Sequence, residues 1–285
     1  MIQLNNGLQI PESGFGTYKT ADGGTAEVIR TAIEAGYRYF DTASKYETEE
    51  ALGQAWSGSG IAREHFQIAS KAWTDELGYR EVREAFERSL KLLRTDYLDL
   101  YMIHWPLPSP DCRDWEELDL DTWKAMEELL GEGKVRAIGV SNFLPHHLLN
   151  LLEHSATVPA VDQIEFHPGH TQEATLQFCR EHGITVQAWS PLGRSRVLND
   201  PLIMELAGKY GVTPAQLCLR YDIQKGAAVI PKASSMARMK QNLQPGEFTI
   251  TPRDMLRIDT MPDYGWSGQH PDRERVDVTF SPHEG

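Results

Sequence analysis

The sequence predicts an α/β protein built as a (β/α)8 TIM barrel with an N-terminal β-hairpin. Two observations over the 285 residues carry this prediction. Short, wholly apolar runs alternate with amphipathic segments of helical period, as expected for parallel strands that are buried on both faces and connected by helices. Polar or aromatic residues also recur where each apolar run ends. In such a barrel the functional side chains gather at the carboxyl ends of the strands.

The hairpin comes first, and eight strand candidates follow it. Residues 2–4 and 8–10 flank Asn5-Asn6-Gly7, in which the glycine supplies the positive φ of a tight turn. The strand candidates are residues 14–17, 37–41, 66–71, 97–104, 135–141, 160–166, 185–189 and 227–230. The count of eight depends on the two weakest of them, which are the first and the last.

Helix candidates occupy the intervals between the strands. They are residues 25–35, 79–93, 120–130, 144–153, 172–182, 201–210, 213–224 and 235–243. The segment 79–93 shows the pattern, because Val82, Phe86, Leu90 and Leu93 recur on one helical face with charges opposite. Since no linker or low-complexity tract interrupts the chain, we expect one domain over residues 1–285.

A doubly wound open sheet is the alternative architecture. It requires a glycine-rich fingerprint at the first turn between a strand and a helix. The segment Gly14-Phe15-Gly16-Thr17 contains G-x-G, but no third glycine follows at the required spacing. The barrel is therefore favoured.

Charge and cysteine content exclude several classes of protein. Lys and Arg total 28 against 41 for Asp and Glu, so the formal net charge is −13. A globally acidic surface disfavours nucleic acid and anionic membranes as partners. No apolar run approaches the ~18 residues of a membrane helix, and no signal peptide is visible. The three cysteines are far apart, which argues against a disulfide framework and suits a reducing cytoplasm. We expect a cytoplasmic protein, and a monomer.

Four polar side chains at neighbouring strand ends predict a proton-transfer site. They are Asp41, Tyr46, Lys71 and His104. A phenol, with a pKa near ~10, is a poor acid, and a neighbouring ammonium lowers that pKa. A carboxylate would hold the ammonium, and an imidazole could orient a carbonyl oxygen. Singly these residues have ordinary structural explanations, such as a helix cap for Asp41. Only their joint placement indicates protonation of an oxygen that becomes an alkoxide, with hydride arriving from elsewhere.

The motifs as a set resemble the aldo-keto reductase family over essentially the whole chain. The matching segments are Gly36 to Ala43 with Tyr46, Ser70-Lys71, Ile103 to Pro106, Gly139 to Phe143, Gln163 to Pro168, Trp189 to Gly193 and Val229 to Lys232. In its compact length, the chain is most similar to the bacterial members of the diketogluconate- and methylglyoxal-reductase type. The resemblance implies a catalytic tetrad of Tyr46 as acid, Lys71 and Asp41 as the pair that tunes it, and His104 as the group that orients the carbonyl.

The resemblance also implies NADP(H), bound extended and without a metal. The implied cofactor site consists of Gly16, Thr17, Asp41, Ser141, Asn142, Gln163, Trp189, Ser190, Leu192, Gly193, Lys232, Ser234, Ser235, Arg238 and Asn242. Within it, Ser141, Asn142 and Gln163 would hold the nicotinamide carboxamide, and Trp189 would stack on the ring. Ser190, Leu192 and Gly193 would line the pyrophosphate.

The adenosine end of the implied site departs from the family pattern. Lys232 and Arg238 would grip the 2′-phosphate and Asn242 would reach the adenine. Ala233 stands where a hydroxyl residue is usual, and Gln241 where a glutamate is usual. Ser234 and Ser235 would compensate for the missing hydroxyl. The two cations favour NADP(H), because NAD(H) would not need them, and dual use of NAD(H) stays open.

The implied substrate is a small-molecule carbonyl compound. Tyr18, Trp73 and Trp105 follow strand ends and would form an aromatic wall beside Tyr46 and His104. Family members close a C-terminal loop over the substrate, which here would be the irregular segment after Thr260.

Two other functions remain open from the sequence. One is a barrel metallohydrolase using Asp41, His104, Glu165 and His167, although no H-x-H motif supports it. The other is a non-catalytic, cofactor-sensing subunit built on the same barrel, which an intact tetrad disfavours. The sequence does not name the physiological carbonyl, because small pocket changes shift specificity by only ~1–3 kcal/mol.

Overall fold

The computed structural model describes residues 1–20, 25–273 and 275, and its centre is a sheet of eight parallel strands. In chain order, after the hairpin strands β1 (Ile2–Gln3) and β2 (Gln9–Ile10), these are β3 (Phe15–Gly16), β4 (Tyr39–Asp41), β5 (Gln67–Ala72), β6 (Leu100–Ile103), β7 (Ile138–Ser141), β8 (Val161–Glu165), β9 (Thr185–Trp189) and β10 (Ala228–Val229). Each strand pairs with the next in sequence. The chain order is therefore also the spatial order.

The sheet closes on itself where its first and last strands meet. A parallel bridge joins Ser13 to Val229, and the Gly14 N–H donates to the Val229 carbonyl at 2.8 Å. A Cβ at Gly16 would lie 2.8 Å from the Ile230 carbonyl oxygen, so only glycine permits this approach. The predicted (β/α)8 barrel is confirmed, including both weak strand candidates, which form the short strands β3 and β10.

The hairpin covers the amino-terminal end of the barrel. Asn5 Nδ2 donates to the Pro159 carbonyl at 3.0 Å, just before β8 begins. Gln67 Nε2, at the start of β5, donates to the Gln9 carbonyl at 2.6 Å. Leu4 is buried in the apolar cluster that fills this end of the barrel. One end is thereby sealed, and the carboxyl ends of the strands are left for the site.

Ten helices lie in the described part of the chain. They are α1 (Thr25–Ala35), α2 (Glu49–Ser57), α3 (Tyr79–Leu93), α4 (Trp115–Gly131), α5 (Pro145–His154), α6 (Glu173–Glu181), α7 (Pro201–Tyr210), α8 (Pro214–Gln224), α9 (Met236–Leu243) and α10 (Pro252–Asp259). The sequence prediction missed α2 and α10, and it began α4 five residues too late. None of the described helices is long and apolar enough to span a bilayer.

The main core lies between the sheet and the helices. Its largest members include Phe15, Phe40, Phe66 and Trp123, all fully buried. A smaller apolar cluster inside the barrel contains Met102 and supports the strand ends from below. The irregular segment 261–273 follows α10 and contributes to the site described next.

Candidate active site

Asp41 and Lys71 form a buried ion pair at the ends of β4 and β5. Lys71 Nζ donates to Asp41 Oδ1 at 2.6 Å and to the Thr42 carbonyl at 2.9 Å, and the two side chains are 0% and 2% exposed. Gln163 Nε2, from β8, donates to Asp41 Oδ2 at 2.8 Å. Burial raises the pKa of Asp41 and lowers that of Lys71, and the opposite charge of each partner counters both effects. The opposite charge and these hydrogen bonds favour the ionised form of both groups despite their burial.

Tyr46 and His104 meet beside this pair. Tyr46 ends the 3-10 turn that follows β4, and His104 directly follows β6. The Tyr46 hydroxyl oxygen lies 3.1 Å from His104 Nε2. Burial, together with the positive charges of Lys71 and Arg275, lowers the pKa of His104 well below its usual value. The imidazole is therefore neutral at neutral pH.

The tautomer of His104 follows from its surroundings. Among the described residues, its Nδ1 is buried without a hydrogen-bond partner. A neutral imidazole has one N–H donor and one lone-pair acceptor. Burying the N–H without an acceptor costs more free energy than burying the lone pair without a donor. The proton therefore belongs on Nε2, the nitrogen that faces Tyr46. The pocket consequently presents two donors side by side, the His104 Nε2–H and the Tyr46 hydroxyl.

The prediction that Tyr46 has a lowered pKa is wrong for this structure, because burial of the phenol outweighs the ammonium of Lys71. Lys71 Nζ lies 5.0 Å from the centroid of the Tyr46 ring and is bonded to Asp41 and Thr42 instead of to the phenol oxygen. Burial, helped by the negative charge of Asp41, raises the pKa of Tyr46 well above 10. Tyr46 is therefore fully protonated at neutral pH, as a proton donor must be.

The residues proposed for the nicotinamide form one hydrogen-bonded ledge beside the tetrad. Ser141 ends β7, and its hydroxyl donates to the Gln163 carbonyl at 2.8 Å. Asn142 follows in a left-handed conformation (φ 63°), from which Nδ2 donates to the His104 carbonyl at 2.9 Å. Trp189, at the end of β9, donates from Nε1 to Asn142 Oδ1 at 2.8 Å and is half-buried. The indole ring is thus held at a fixed angle.

The glycines and threonine of the predicted cofactor site have packing roles of their own. A Cβ at Gly193 (φ 51°) would lie 3.0 Å from Val197 Cγ1, and Gly16 was shown above to admit β10. Thr17 is fully buried with its hydroxyl 2.9 Å from that of Thr48. Ser190 and Leu192 lie in the turn that leads into Gly193, Ser190 with a positive φ of 49°. These positions shape the backbone of the site, whatever else they contact.

Two cations stand at the start of α9. Lys232 is exposed, and Arg238 donates to the hydroxyls of Ser234 at 3.0 Å and Ser235 at 3.2 Å. Neither cation has an ion-pair partner among the residues that the structure describes. A helix N-terminus with unpaired cations favours an anion. Asn242 is buried in the same helix, and Ala233 is 4% exposed.

Two of the three aromatic residues predicted to line the substrate pocket contact the two donors. The Tyr18 ring lies 5.0 Å from the Tyr46 ring, and the Trp73 ring meets that of His104 edge-on at 4.8 Å. Trp105 is 5% exposed and lies beneath the guanidinium of Arg275. Tyr18 and Trp73 are therefore neighbours of the donor pair, and the role of all three residues in binding a substrate stays a prediction.

The candidate ligands of the metallohydrolase hypothesis are engaged in other contacts. Both carboxylate oxygens of Asp41 are occupied by Lys71 and Gln163, and His104 carries its proton toward Tyr46. The carboxylate of Glu165 accepts from the N–H and the hydroxyl of Ser267, at 3.0 and 2.6 Å. These groups have no shared open position at which a metal could bind.

A different set of residues has the spacing of metal ligands within the described chain. It consists of His146, His147 and Asp272. His147 Nδ1 accepts from the Leu144 N–H at 3.0 Å, so the proton of the neutral ring lies on Nε2, which faces Asp272 Oδ1 at 2.9 Å. That nitrogen has no lone pair to offer a metal. The contact joins the start of α5 to the C-terminal segment.

Sequence reasoning missed three participants in the site. The Thr42 carbonyl is a backbone group, and Gln187 supports Gln163 at 2.6 Å from inside the barrel. Arg275 lies in a segment without periodicity. Alternation along β9 could have indicated that Gln187 faces inward with Trp189, but no sequence signal points to the other two.

Comparison with known proteins agrees with the geometry. A model of the aldo/keto reductase family matches residues 13–262. The 9,11-endoperoxide prostaglandin H2 reductase of Trypanosoma cruzi (strain CL Brener) is 41% identical over 275 residues, which are 95% of this chain and 94% of that protein. The glyoxal reductase of Bacillus subtilis (strain 168) is 40% identical over 272 residues, 95% of this chain and 96% of that one.

A solved structure extends the likeness to three dimensions. The crystal structure of an aldo/keto reductase from Brucella melitensis has a TM-score of 0.84 at 40% identity, and the match covers 90% of this chain and 97% of that chain. Sequence, barrel topology and the cluster at the strand ends thus lead to one assignment. The chain belongs to the aldo/keto reductase family of oxidoreductases.

Proposed function

We propose that this protein reduces an aldehyde or ketone to the alcohol, with NADPH as the hydride donor and Tyr46 as the general acid. The observation that carries the proposal is the pair of donors, Tyr46 Oη–H and His104 Nε2–H, 3.1 Å apart beside a buried ion pair. A carbonyl oxygen placed between them would accept from both.

The two donors divide the work. The neutral His104 cannot protonate the oxygen at neutral pH, so it orients and polarises the carbonyl. Tyr46 transfers its proton as the oxygen becomes an alkoxide, which is a far stronger base than a phenolate. Its raised pKa keeps the phenol protonated until that moment. When bound, the dihydronicotinamide supplies the hydride.

The ion pair acts after the proton has left Tyr46. The phenolate formed then is a new negative charge in a buried place, and the Lys71 ammonium, 5.0 Å from the ring centroid, lies close enough to stabilise it. Asp41 keeps that ammonium charged and fixed between its own Oδ1 and the Thr42 carbonyl. The pair therefore favours the product side of the transfer.

The proposed cofactor fits the residues present. Trp189 offers a ring held by Asn142 for stacking, and the amide and hydroxyl groups of the ledge match a carboxamide. Lys232 and Arg238, without carboxylate partners in the described chain, support a cofactor that carries a 2′-phosphate. NAD(H) lacks that phosphate and is expected to bind more weakly, although the stacking and carboxamide contacts would remain.

The test is turnover by the purified protein with NADPH and a panel of aldehydes, ketones and dicarbonyl compounds, glyoxal included. The glyoxal reductase among the relatives makes small dicarbonyls a reasonable first choice. We expect loss of NADPH absorbance with wild type. A protein that binds NADPH but reduces none of these would instead be the cofactor-sensing subunit.

Tyr46→Phe is the decisive variant. It removes only the hydroxyl, so NADPH affinity should be nearly unchanged while kcat falls by about 10²–10⁴-fold or more, the usual worth of general-acid catalysis. Tyr18→Phe removes a hydroxyl from the neighbouring ring and serves as the matched control. A Tyr46→Phe variant that keeps more than about a tenth of the wild-type kcat would exclude Tyr46 as the acid.

A further inference from the structure

The hydroxyl of Thr48 lies at the centre of a buried chain of three threonines. It is 2.9 Å from the hydroxyl of Thr17 and 2.9 Å from that of Thr42. All three residues are 0% exposed. Thr48 directly precedes α2, but its side chain makes no capping hydrogen bond to that helix. The hydroxyl is thus engaged by the strand ends of the barrel instead of by the helix that follows it.

Each threonine of this chain adjoins a group of the candidate active site. Thr42 follows β4, and its carbonyl accepts from Lys71 Nζ at 2.9 Å. Thr17 follows β3, and its N–H donates to the Asp41 carbonyl at 2.9 Å. Thr48 closes the turn that carries the proposed acid. The two hydroxyl contacts therefore join the ends of β3 and β4 to the far end of that turn.

The turn that carries Tyr46 has two hydrogen bonds of its own on its first half. Within the 3-10 turn Ser44–Tyr46, the Tyr46 N–H donates to the Ala43 carbonyl at 3.0 Å. The Ser44 hydroxyl donates to Glu76 Oε2 at 2.6 Å. Neither of these bonds fixes the backbone after Tyr46.

The backbone after Tyr46 is strained. Glu47 has a φ of 56°, in the left-handed region, where the Cβ of a residue other than glycine crowds the backbone. Such a conformation persists only where the surrounding contacts hold it. Glu47 itself is exposed, and Thr48 is the first buried residue that follows it. The two hydroxyl contacts of Thr48 are therefore placed to hold the strained turn closed.

We propose that Thr48 is a positioning residue for the proposed acid, and that its hydroxyl fixes the turn that carries Tyr46 relative to Asp41 and Lys71. This role rests on the proposed function of Tyr46 as the general acid and adds the residue that places it. A displacement of a reacting group by about 1 Å can cost on the order of 100-fold in rate. Loosening the turn should therefore lower turnover far more than it weakens cofactor binding.

The test replaces the hydroxyl by a methyl group of similar size in Thr48→Val. We expect kcat to fall about 10- to 100-fold while the Kd for NADPH stays within about threefold of wild type. Thr48→Ser should keep most of the wild-type kcat, because its hydroxyl can make both hydrogen bonds. A Thr48→Val variant that keeps more than about half of the wild-type kcat, or a Thr48→Ser variant that is equally slow, would overturn the proposal.

Thr95→Val is the matched control for the loss of a threonine hydroxyl with two hydrogen bonds. The Thr95 hydroxyl accepts from Arg63 Nε at 2.8 Å and donates to the Tyr97 carbonyl at 3.1 Å. Thr95 lies between α3 and β6, at the amino-terminal end of the barrel and opposite the site. Thr95→Val should therefore retain kcat. An equal loss of kcat in both valine variants would overturn the proposal, since general destabilisation would then explain it.

Hydrogen exchange, followed by mass spectrometry without substrate, separates this proposal from the proposed function. Peptides that cover residues 43–48 should exchange faster in Thr48→Val than in wild type, and Thr95→Val should leave their exchange unchanged. That result would support Thr48 as the residue that holds the turn even if wild type reduced no carbonyl compound, and the proposed function alone would then fail. Unchanged exchange in Thr48→Val would overturn the proposal whatever the turnover.

Discussion

Removing the ammonium of Lys71 tests the buried ion pair directly. Lys71→Met keeps the length of the side chain and leaves Asp41 buried with one remaining side-chain donor, Gln163. Breaking a buried pair from one side costs about 3–5 kcal/mol, because the surviving charge has no compensation. For a domain stabilised by roughly 5–15 kcal/mol this is a large loss. Urea unfolding followed by circular dichroism measures it.

The double variant Asp41→Asn/Lys71→Met supplies the necessary comparison. It removes both charges and keeps an amide where Gln163 binds, so most of the lost stability should return. Activity should not return, since the phenolate of Tyr46 would lack its ammonium. Stability and catalysis then separate, which a purely structural pair would not allow.

The ion pair between Arg257 and Glu205 at the surface serves as a reference for the stability cost of breaking the buried pair. Arg257 contacts Glu205 with two hydrogen bonds of 2.8 Å, and the two side chains are 38% and 59% exposed. Arg257→Met should lower the unfolding free energy far less than Lys71→Met, because an ion pair at the surface contributes little net stability. A similar small cost for Lys71→Met, or no recovery in the double variant, would refute the view that Asp41 is an uncompensated charge without Lys71.

Three further predictions concern the cofactor and pH. Lys232→Ala should weaken NADPH binding by about 10- to 100-fold and NADH binding little, while Lys240→Ala on the following helix α9 should change neither; equal losses for both cofactors would remove Lys232 from the 2′-phosphate site. Trp189→Ala should cost roughly 1–2 kcal/mol of NADPH affinity with a small loss of stability; a loss of ~3–5 kcal/mol in unfolding free energy with unchanged affinity would make it a core residue. Burial lowers the pKa of His147 to about 3, below its unfolded value, so the unfolded chain binds the extra proton. Stability should therefore be complete above about pH 6.5 and fall toward pH 3, by up to ~1.4 kcal/mol per pH unit. His147→Gln should flatten that slope and exposed His154→Gln should not, as pH-dependent denaturation would reveal.

The barrel could be predicted because its signal is local and repeated. Eight apolar runs and the residues that end them are visible in the sequence, and strand ends of a parallel barrel meet at one face. The joint position of Asp41, Tyr46, Lys71 and His104 follows from that topology alone. Helix α2 was missed because its pattern is weak. Gly53 lies in its middle, where a Cβ would come within 2.2 Å of the Leu92 carbonyl of the adjoining helix, so packing overrides propensity.

Properties that depend on distance could not be predicted in this way. Whether the pKa of Tyr46 falls or rises depends on the balance between the burial of the phenol and its distance from Lys71 Nζ, and the bonds of Nζ to Asp41 and Thr42 place it over the ring. Arg275 comes from an irregular segment, and its position depends on two tertiary anchors. Neither the position of Lys71 Nζ nor that of Arg275 can be predicted from a periodic pattern in the sequence.

The charges of the tetrad largely cancel, so charged residues around the pocket dominate its electrostatic potential. Asp41 and Lys71 neutralise each other, while Tyr46 and His104 are both uncharged at neutral pH. The pocket floor therefore exerts little net pull on a charged substrate. Arg275 adds a positive charge beside His104 and has no acidic partner within ion-pair distance in the described chain. Under the proposed function, a donor pair without net charge would serve many carbonyls, and the residues around it would decide which ones reach the productive orientation.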